Sequence, residues 1–383
     1  MDTHAALYAL GQSRLAKLRQ LPSKKQQPLQ ERLEENGISR REFLVWSATL
    51  TAALALPMPF SSMVAEAAEL ADRVPLIWLH MAECTGCSES LIRSSTPDVS
   101  TLIFDHVSLE YQETLMAAAG WQAEENLDAA MRDYHGQYLL AVEGAVPTAN
   151  GGAFLTLGCK GRTGLDMVRE AAAGAAAIIS VGTCASFGGV QAAKPNPTGA
   201  KGVHAVIDRP VINLGGCPPS SSNIVGTLMY YIMFGKLPAL DTFNRPKWAY
   251  GARVHDNCER RGHFDAGEFV EEFGDEGAEN GYCLYKMGCK GPYTYNNCPQ
   301  ERFNNHTSWP VLAGHGCIGC SEPDFWDDMA DFEKPLGRQL LHGLDATADT
   351  IGAVTLGLTA LGIGAHAVGS FFAGTYNDED NEK

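Results

Sequence analysis

The sequence predicts a doubly wound α/β domain, then a smaller irregular domain, then a C-terminal apolar helix. Three observations carry this. Short apolar runs alternate with helix-like stretches from Val74 to about Leu240, the pattern of parallel strands joined by crossover helices. Beyond Asp241 regular periodicity fades, and Cys, Gly, Asn, Pro and aromatic residues dominate, as in a unit held together by metal ligands rather than a large core. From Thr350 to Thr375 there is no Asp, Glu, Lys or Arg, and crossing a bilayer takes ~20 residues. A chain of 383 residues suits two domains better than one.

The elements follow in order. Residues 1–38 are polar and rich in Gln, Glu and Lys, and are expected to be disordered. Ser39-Arg40-Arg41-Glu42-Phe43-Leu44 is a twin-arginine string ahead of an uncharged stretch from Phe43 to Met63. Ala65-Glu66-Ala67 then offers small residues around a cleavage point, so 1–67 reads as a targeting leader. In 68–240 the strand candidates are Pro75–Leu79, Thr101–Val107, Tyr138–Val142, Ala176–Val181 and Pro210–Leu214. Between them Ser88–Ser94, Tyr111–Tyr134, Gly164–Gly174 and Ser221–Phe234 read as helices. In outline this resembles flavodoxin, so the sheet domain is flavodoxin-like. Residues 241–340 form the irregular domain, 347–376 an anchor helix and 377–383 an acidic tail. Recurring Gly and Ala residues in the anchor suit close packing against another membrane helix; a buried core helix is the alternative.

The formal charge is −16. It belongs to the body, because residues 1–67 hold 8 basic against 6 acidic side chains and the rest hold 21 against 39. Such a surface repels phosphate backbones and excludes nucleic acid as a partner. Eleven cysteines in an exported chain would ordinarily mean disulfides. The twin-arginine route carries folded proteins, however, so metal clusters inserted in a reducing cytoplasm survive the passage.

Ten of those cysteines and one histidine sort into three ligand sets. Cys84, Cys87, Cys184 and Cys217 each follow a strand candidate, and in a parallel sheet the loops after neighbouring strands converge on one crevice. Four thiolates there suit an iron–sulfur cluster, with structural zinc as the alternative. His255-x-x-Cys258 with Cys283 and Cys289 is a Cys₃His set that fits a cluster or zinc equally well. Cys298, Cys317 and Cys320 leave three thiolates, for which a [3Fe–4S] core is the simplest fit if no cysteine is shared. Cys159 is left over and reads as buried packing.

With these residues assembled, the chain resembles the small subunits of membrane-bound [NiFe] uptake hydrogenases over nearly its whole length. The motifs are Glu83-Cys84-Thr85-Gly86-Cys87-Ser88-Glu89-Ser90, Gly182-Thr183-Cys184-Ala185-Ser186, Cys258-Glu259-Arg260-Arg261, His263-Phe264-Asp265-Ala266-Gly267, Gly288-Cys289-Lys290-Gly291-Pro292 and Gly314-His315-Gly316-Cys317. The resemblance implies a proximal [4Fe–4S] cluster on Cys84, Cys87, Cys184 and Cys217, facing a large subunit. It implies a medial [3Fe–4S] cluster on Cys298, Cys317 and Cys320, and a distal [4Fe–4S] cluster on His255, Cys258, Cys283 and Cys289. Pro310 matches the position where a fourth medial ligand would otherwise sit. Glu143 matches an acid beside the proximal cluster, or simply caps a loop. Oxygen-tolerant members carry two further cysteines where this chain has Gly86 and Gly189, so a conventional proximal cluster and an oxygen-sensitive enzyme are expected.

The resemblance assigns hydrogen splitting to the [NiFe] large subunit of a heterodimer, with association into a dimer of heterodimers left open. Electrons would pass from the proximal to the medial to the distal cluster and on to a membrane cytochrome b or another quinone-reducing subunit. The body would lie on the periplasmic face of the inner membrane. His366 in the anchor would lie near a haem or hydrogen-bond within a helix bundle. Competing readings are an iron–sulfur subunit of another membrane oxidoreductase, a hydrogen sensor, and a zinc-stabilised exported binding protein.

Overall fold

The computed structural model describes residues 3–20, 39–70, 72–95, 98–336 and 348–378. Five parallel strands form the central sheet: β1 Val74–His80, β2 Val107–Gln112, β3 Leu139–Glu143, β4 Ala177–Val181 and β5 Ile212–Leu214. Their order is β2-β1-β3-β4-β5, the flavodoxin-like arrangement with its switch point between β1 and β3. Every residue of β3 and β4 is buried, which is why those runs are unbroken apolar sequence. Alternate side chains feed two cores. Leu76, Trp78, Leu139 and Ile179 face the helix Ser221–Phe234, whereas Ile77, Leu79, Leu140 and Ile178 face residues of the helices Gly120–Asp133 and Gly164–Gly174. The Thr163 and Ser220 side chains start two of these helices by accepting from the Asp166 and Asn223 amides.

One strand lies later than its sequence suggested. The apolar run Thr101–Val107 is helical at first: Asp98 accepts from the Thr101 amide, and a wider turn continues through Leu102–His106 with Leu102 buried. The strand is Val107–Gln112, at the sheet's edge, where pairing on one side only tolerates the mixed sequence Val-Ser-Leu-Glu-Tyr-Gln. The helix expected from Tyr111 accordingly begins at Gly120 and ends at Asp133.

Past Asp241 only short helical turns and isolated bridges occur among the described residues before the C-terminal helix. A third, small core gathers Val254, Val270, Leu284, Trp309 and Val311, with Cys258, Cys289, Cys298 and Cys317 packed against it. The junction with the sheet domain is polar and dry. Arg245, 2% exposed, donates to Asp241, to Glu322 and to the Ser321 carbonyl. Its guanidinium also lies 5.1 to 5.9 Å from the rings of Phe243, Tyr250 and Tyr295.

The N-terminal expectation of disorder fails for residues 3–20, which form a helix; 21–38 fall outside the described residues. Leu7, Leu10, Leu15 and Leu18 recur at helical spacing and pack into the first core, with Leu15 fully buried. Two more helices follow, Arg40–Ala53 and Phe60–Leu70, the former opened by a capping box between Ser39 and Glu42. At the other end Ala348–Asp378 is one helix. Its segment Val354–Phe371 has a mean hydropathy of 1.4 and none of it is buried, so it is not a core helix. Of the acidic tail expected at 377–383, Asn377 and Asp378 end this helix and 379–383 lie outside the described residues.

Candidate metal-cluster sites

The sheet register builds the first site. His80 pairs with Glu143, Glu143 with Val181, and Val181 with Leu214, so four strands end on one line. From that line the chain turns directly into the loops bearing Cys84 and Cys87, Cys184, and Cys217. The four thiols lie close together: burial, then Glu143 and the other three thiols, hold Cys87 well above the ordinary thiol value. Burial, then Cys217, pushes Cys184 up to about 11. Cys84 and Cys217 are exposed, so the pocket opens outward.

Glycine shapes this pocket. A Cβ at Gly182, where φ is +92°, would lie 2.5 Å from the Cys87 Sγ. One at Gly189, where φ is +54°, would lie 2.8 Å from the Cys184 Sγ and 2.9 Å from its Cα. Both positions have backbone that favours glycine and leave space beside sulfur.

Glu143 binds the start of the Cys87 loop. Its carboxylate is 1% exposed and accepts from Cys87 N at 2.9 Å, Ser88 N at 3.0 Å, Ser88 Oγ at 2.7 Å and Trp78 Nε1 at 3.1 Å. It thereby caps the helix Gly86–Ile92, whose own N-cap residue Thr85 makes no side-chain cap. A network that the sequence did not disclose continues outward. Gln112 Nε2 donates to Ser88 Oγ at 3.0 Å and lies 3.0 Å from His80 Nε2. The other ring nitrogen of His80 is 3.1 Å from Glu83 Oε1. Because the Gln112 amide nitrogen is a donor, His80 Nε2 accepts and Nδ1 carries the proton to Glu83.

The other two sets adjoin each other and the first. Thr183, beside Cys184, donates to the Cys320 carbonyl and accepts from Gly216 N at 2.8 Å. A Cβ at Gly215 would meet the Ser321 carbonyl at 2.6 Å. Cys298, Cys317 and Cys320 lie together, each thiol raised first by burial; for Cys298 the two neighbouring thiols come next, and for Cys317 its neighbour Cys320. On the far side Cys317 N donates to Cys289 Sγ at 3.2 Å, and Lys290 N donates to the Cys317 carbonyl at 2.6 Å. Cys258, Cys283 and Cys289 share one neighbourhood, with Cys283 and Cys289 both pushed up to about 12, chiefly by burial. A Cβ at Gly291 would sit 3.4 Å from Cys289 Sγ and 3.6 Å from the His255 backbone nitrogen, so the His255 backbone passes beside this set. Burial, aided by Arg261, lowers His255 to about 4, so at neutral pH its ring is uncharged and has a lone pair to give.

Two expectations fare differently. Cys159, read as buried packing, is exposed on the turn joining the two-stranded ladder Thr156–Leu157 and Arg162–Thr163. Pro310 is exposed between buried Trp309 and Val311. All eleven cysteines are free. No three of the described His, Cys, Asp and Glu side chains close on a point as a single ion requires. The donor chemistry and the glycine-lined space fit iron–sulfur clusters, which need thiolates spread around an inorganic core; binding would strip protons that the apo site holds tightly.

Thiols set at the ends of a flavodoxin-like sheet and in a sheet-poor second domain define an electron-carrying subunit. Known proteins agree. Residues 84–231 match the family model of the NADH ubiquinone oxidoreductase 20 kDa subunit, and 250–333 match that of the C-terminal region of the NiFe/NiFeSe hydrogenase small subunit. The chain is 62% identical over 326 residues to the quinone-reactive Ni/Fe-hydrogenase small chain of Wolinella succinogenes, covering 84% of this chain and 92% of that one. It is 50% identical over 322 residues to the uptake hydrogenase small subunit of Azotobacter vinelandii, covering 84% and 89%. The structure of the reduced, active Ni-Fe-Se hydrogenase from Desulfomicrobium baculatum overlays with a TM-score of 0.65 at 34% identity, over 69% of this chain and all of that one. The chain belongs to the small subunits of the nickel–iron hydrogenases. In that family the small subunit holds iron–sulfur clusters and pairs with the large subunit, on which the enzyme activity resides.

Proposed function

We propose that this chain conducts electrons from hydrogen oxidation in its large subunit to a quinone-reducing membrane partner, such as a cytochrome b. The observation that carries the reading is the order of the three sets: Thr183 and Gly215 touch the Cys320–Ser321 backbone on one side, and Cys317 is bonded to Cys289 on the other. The medial set thus lies between the proximal and distal ones. Cys84, Cys87, Cys184 and Cys217 would hold a [4Fe–4S] cluster, Cys298, Cys317 and Cys320 a [3Fe–4S] cluster, and His255, Cys258, Cys283 and Cys289 a second [4Fe–4S] cluster. When bound, such groups supply one-electron steps whose potentials follow ligand type, burial and hydrogen bonds to sulfur. Glu143 orients the Cys87 loop beside the proximal site, and neutral His255 gives the distal site one uncharged ligand. Pro310 leaves the medial site at three thiolates.

The exposed apolar helix Val354–Phe371 and the quinone-reactive relative support a membrane anchor and a quinone acceptor. The twin-arginine string supports export, with the body on the periplasmic face. Gly86 and Gly189 support a conventional proximal cluster. At Gly189 the positive φ and the 2.9 Å approach to the Cys184 Cα leave no relaxed place for a cysteine side chain.

Iron and acid-labile sulfide analysis of the purified complex tests this reading. The expected content is ~11 irons in this chain for two four-iron clusters and one three-iron cluster. Zinc or cystine in their place would overturn it.

A further inference from the structure

The helix Ser221–Phe234 has no charged residue, and 12 of its 14 residues are buried. A helix apolar on every side needs cover on every side. Inside, the sheet supplies it; outside, residues of 3–20 and 39–70 do. Phe60 meets Phe234 with ring centroids 6.4 Å apart, and a Cβ at Gly11 would lie 3.2 Å from a Phe234 ring carbon. Leu54 and Trp248 both crowd Gly226, and Trp46 stacks on His106 at 5.4 Å.

This cover is close in places, with Leu15, Phe60 and Met63 at most 2% exposed, and incomplete in others. A cleft of about 460 Å³ remains between Ala52, Ala53 and Ala55 of the leader and Trp248, Asn296 and Gln300 of the body. The indole nitrogens of Trp46 and Trp248 are buried without a hydrogen-bond partner. Interfaces kept for good are close-packed and satisfied.

Resting on the reading of 1–67 as a removable leader, we propose that the leader and the large subunit occupy the same face of Ser221–Phe234 and exclude one another. The choice of occupant follows from continuity with the open proximal pocket. The helix starts four residues after Cys217 and packs against Gly86–Ile92, which bears Cys87, and Ser90 Oγ donates to the Pro219 carbonyl at 2.6 Å. A partner that hands electrons to the proximal site reaches this helix as well. Stripped of its leader, the face would present Met229, Tyr230 and Phe234 as an apolar patch that demands a partner.

A consequence concerns timing. The expected cleavage segment sits inside the helix Phe60–Leu70, with Met63, Val64, Ala67 and Ala68 at most 2% exposed, while Arg40 and Arg41 are exposed. A protease needs the segment unfolded, so docking of the large subunit releases the leader for transport and cutting.

Hydrogen-exchange mass spectrometry on the full-length precursor, alone and with purified large subunit, tests the exclusion. The expected result is loss of protection over 43–68 on pairing, with 221–234 still protected. A complex in which 43–68 stays protected overturns the proposal. So does protection of 221–234 that comes only from lipid vesicles or from self-association. A second arm uses Phe60→Asp, which loosens the leader without touching the body. Association with the large subunit should quicken ~10-fold, because the fraction with a free face limits it; an unchanged rate overturns the proposal. Failure of the leader reading shows separately, as undiminished export of the Arg40→Lys, Arg41→Lys double variant.

Discussion

Replacing Glu143 with Gln removes one charge and one acceptor without changing shape, and the geometry fixes what that costs. The carboxylate accepts four hydrogen bonds, one on Oε1 from Cys87 N and three on Oε2 from Ser88 N, Ser88 Oγ and Trp78 Nε1. Glutamine does best with its carbonyl toward the three donors, which turns its amide nitrogen toward Cys87 N. One buried N–H is then orphaned, at ~1–3 kcal/mol. Each of the other three bonds loses its charge assistance, worth ~1 kcal/mol apiece. The total is ~5 kcal/mol, concentrated on the start of Gly86–Ile92. Every ~1.4 kcal/mol is a factor of ten, so amide exchange at Cys87 and Ser88 should quicken by more than ~10³-fold. Iron should fall from ~11 toward ~7 as the first four-iron site fails to fill. Unchanged exchange in that peptide, together with full iron, would refute the claim that this carboxylate positions the Cys87 loop.

Three further outcomes are expected. Arg245→Met strands Asp241 and Glu322 in the junction and should lower stability by ~3–5 kcal/mol, read as faster hydrogen exchange around Cys320–Glu322. His255→Ala should cut electron delivery to an external acceptor ~10-fold or more while leaving isotope exchange at the large subunit's hydrogen site nearly intact; equal loss of both would misplace His255. Withholding iron should erase exchange protection over 250–333 yet leave β1, β3 and β4 protected, since only the former depends on ligands for its core.

The sequence disclosed most of the sheet because β3 and β4 are buried on both faces and must be apolar throughout. It misled at Thr101–Val107, where an apolar run was equally compatible with a helical turn, and only the Asp98 cap and tertiary burial of Leu102 decide the matter. Candidate ligands had a signal where a cysteine follows a strand end, as Cys84, Cys184 and Cys217 do, or sits in a C-x-x-C or H-x-x-C spacing, as Cys317, Cys320 and Cys258 do; Cys283, Cys289 and Cys298 had neither. The partners that hold those loops were not readable. Ser88, Gln112 and His80 meet through pairings of β1 with β2 and β3, which join residues far apart in sequence. Arg245 carried no motif at all. Its one signal is placement between Asp241 and the aromatic residues Phe243 and Tyr250, which reads as an ordinary loop until Glu322 arrives from the second domain.

The two halves of the chain are stabilised by different physics, and that difference bears on how the protein must be made. Around the sheet lie two extensive apolar cores, one of them shared with the N-terminal helices. The second domain has Val254, Val270, Leu284, Trp309 and Val311 at its centre and little regular structure to share their burial. So few side chains cannot order a domain of roughly 90 residues against its conformational entropy. Metal held by the thiols gathered at that centre would supply what is missing, and their raised ionisation means that binding would also displace protons held firmly by the buried thiols. Folding of this domain, filling of its sites and closure of the Arg245 junction onto the proximal loops are therefore one event. Were the chain exported after that event, it would need a route for folded cargo, a requirement that the twin-arginine string Ser39–Leu44 would suit.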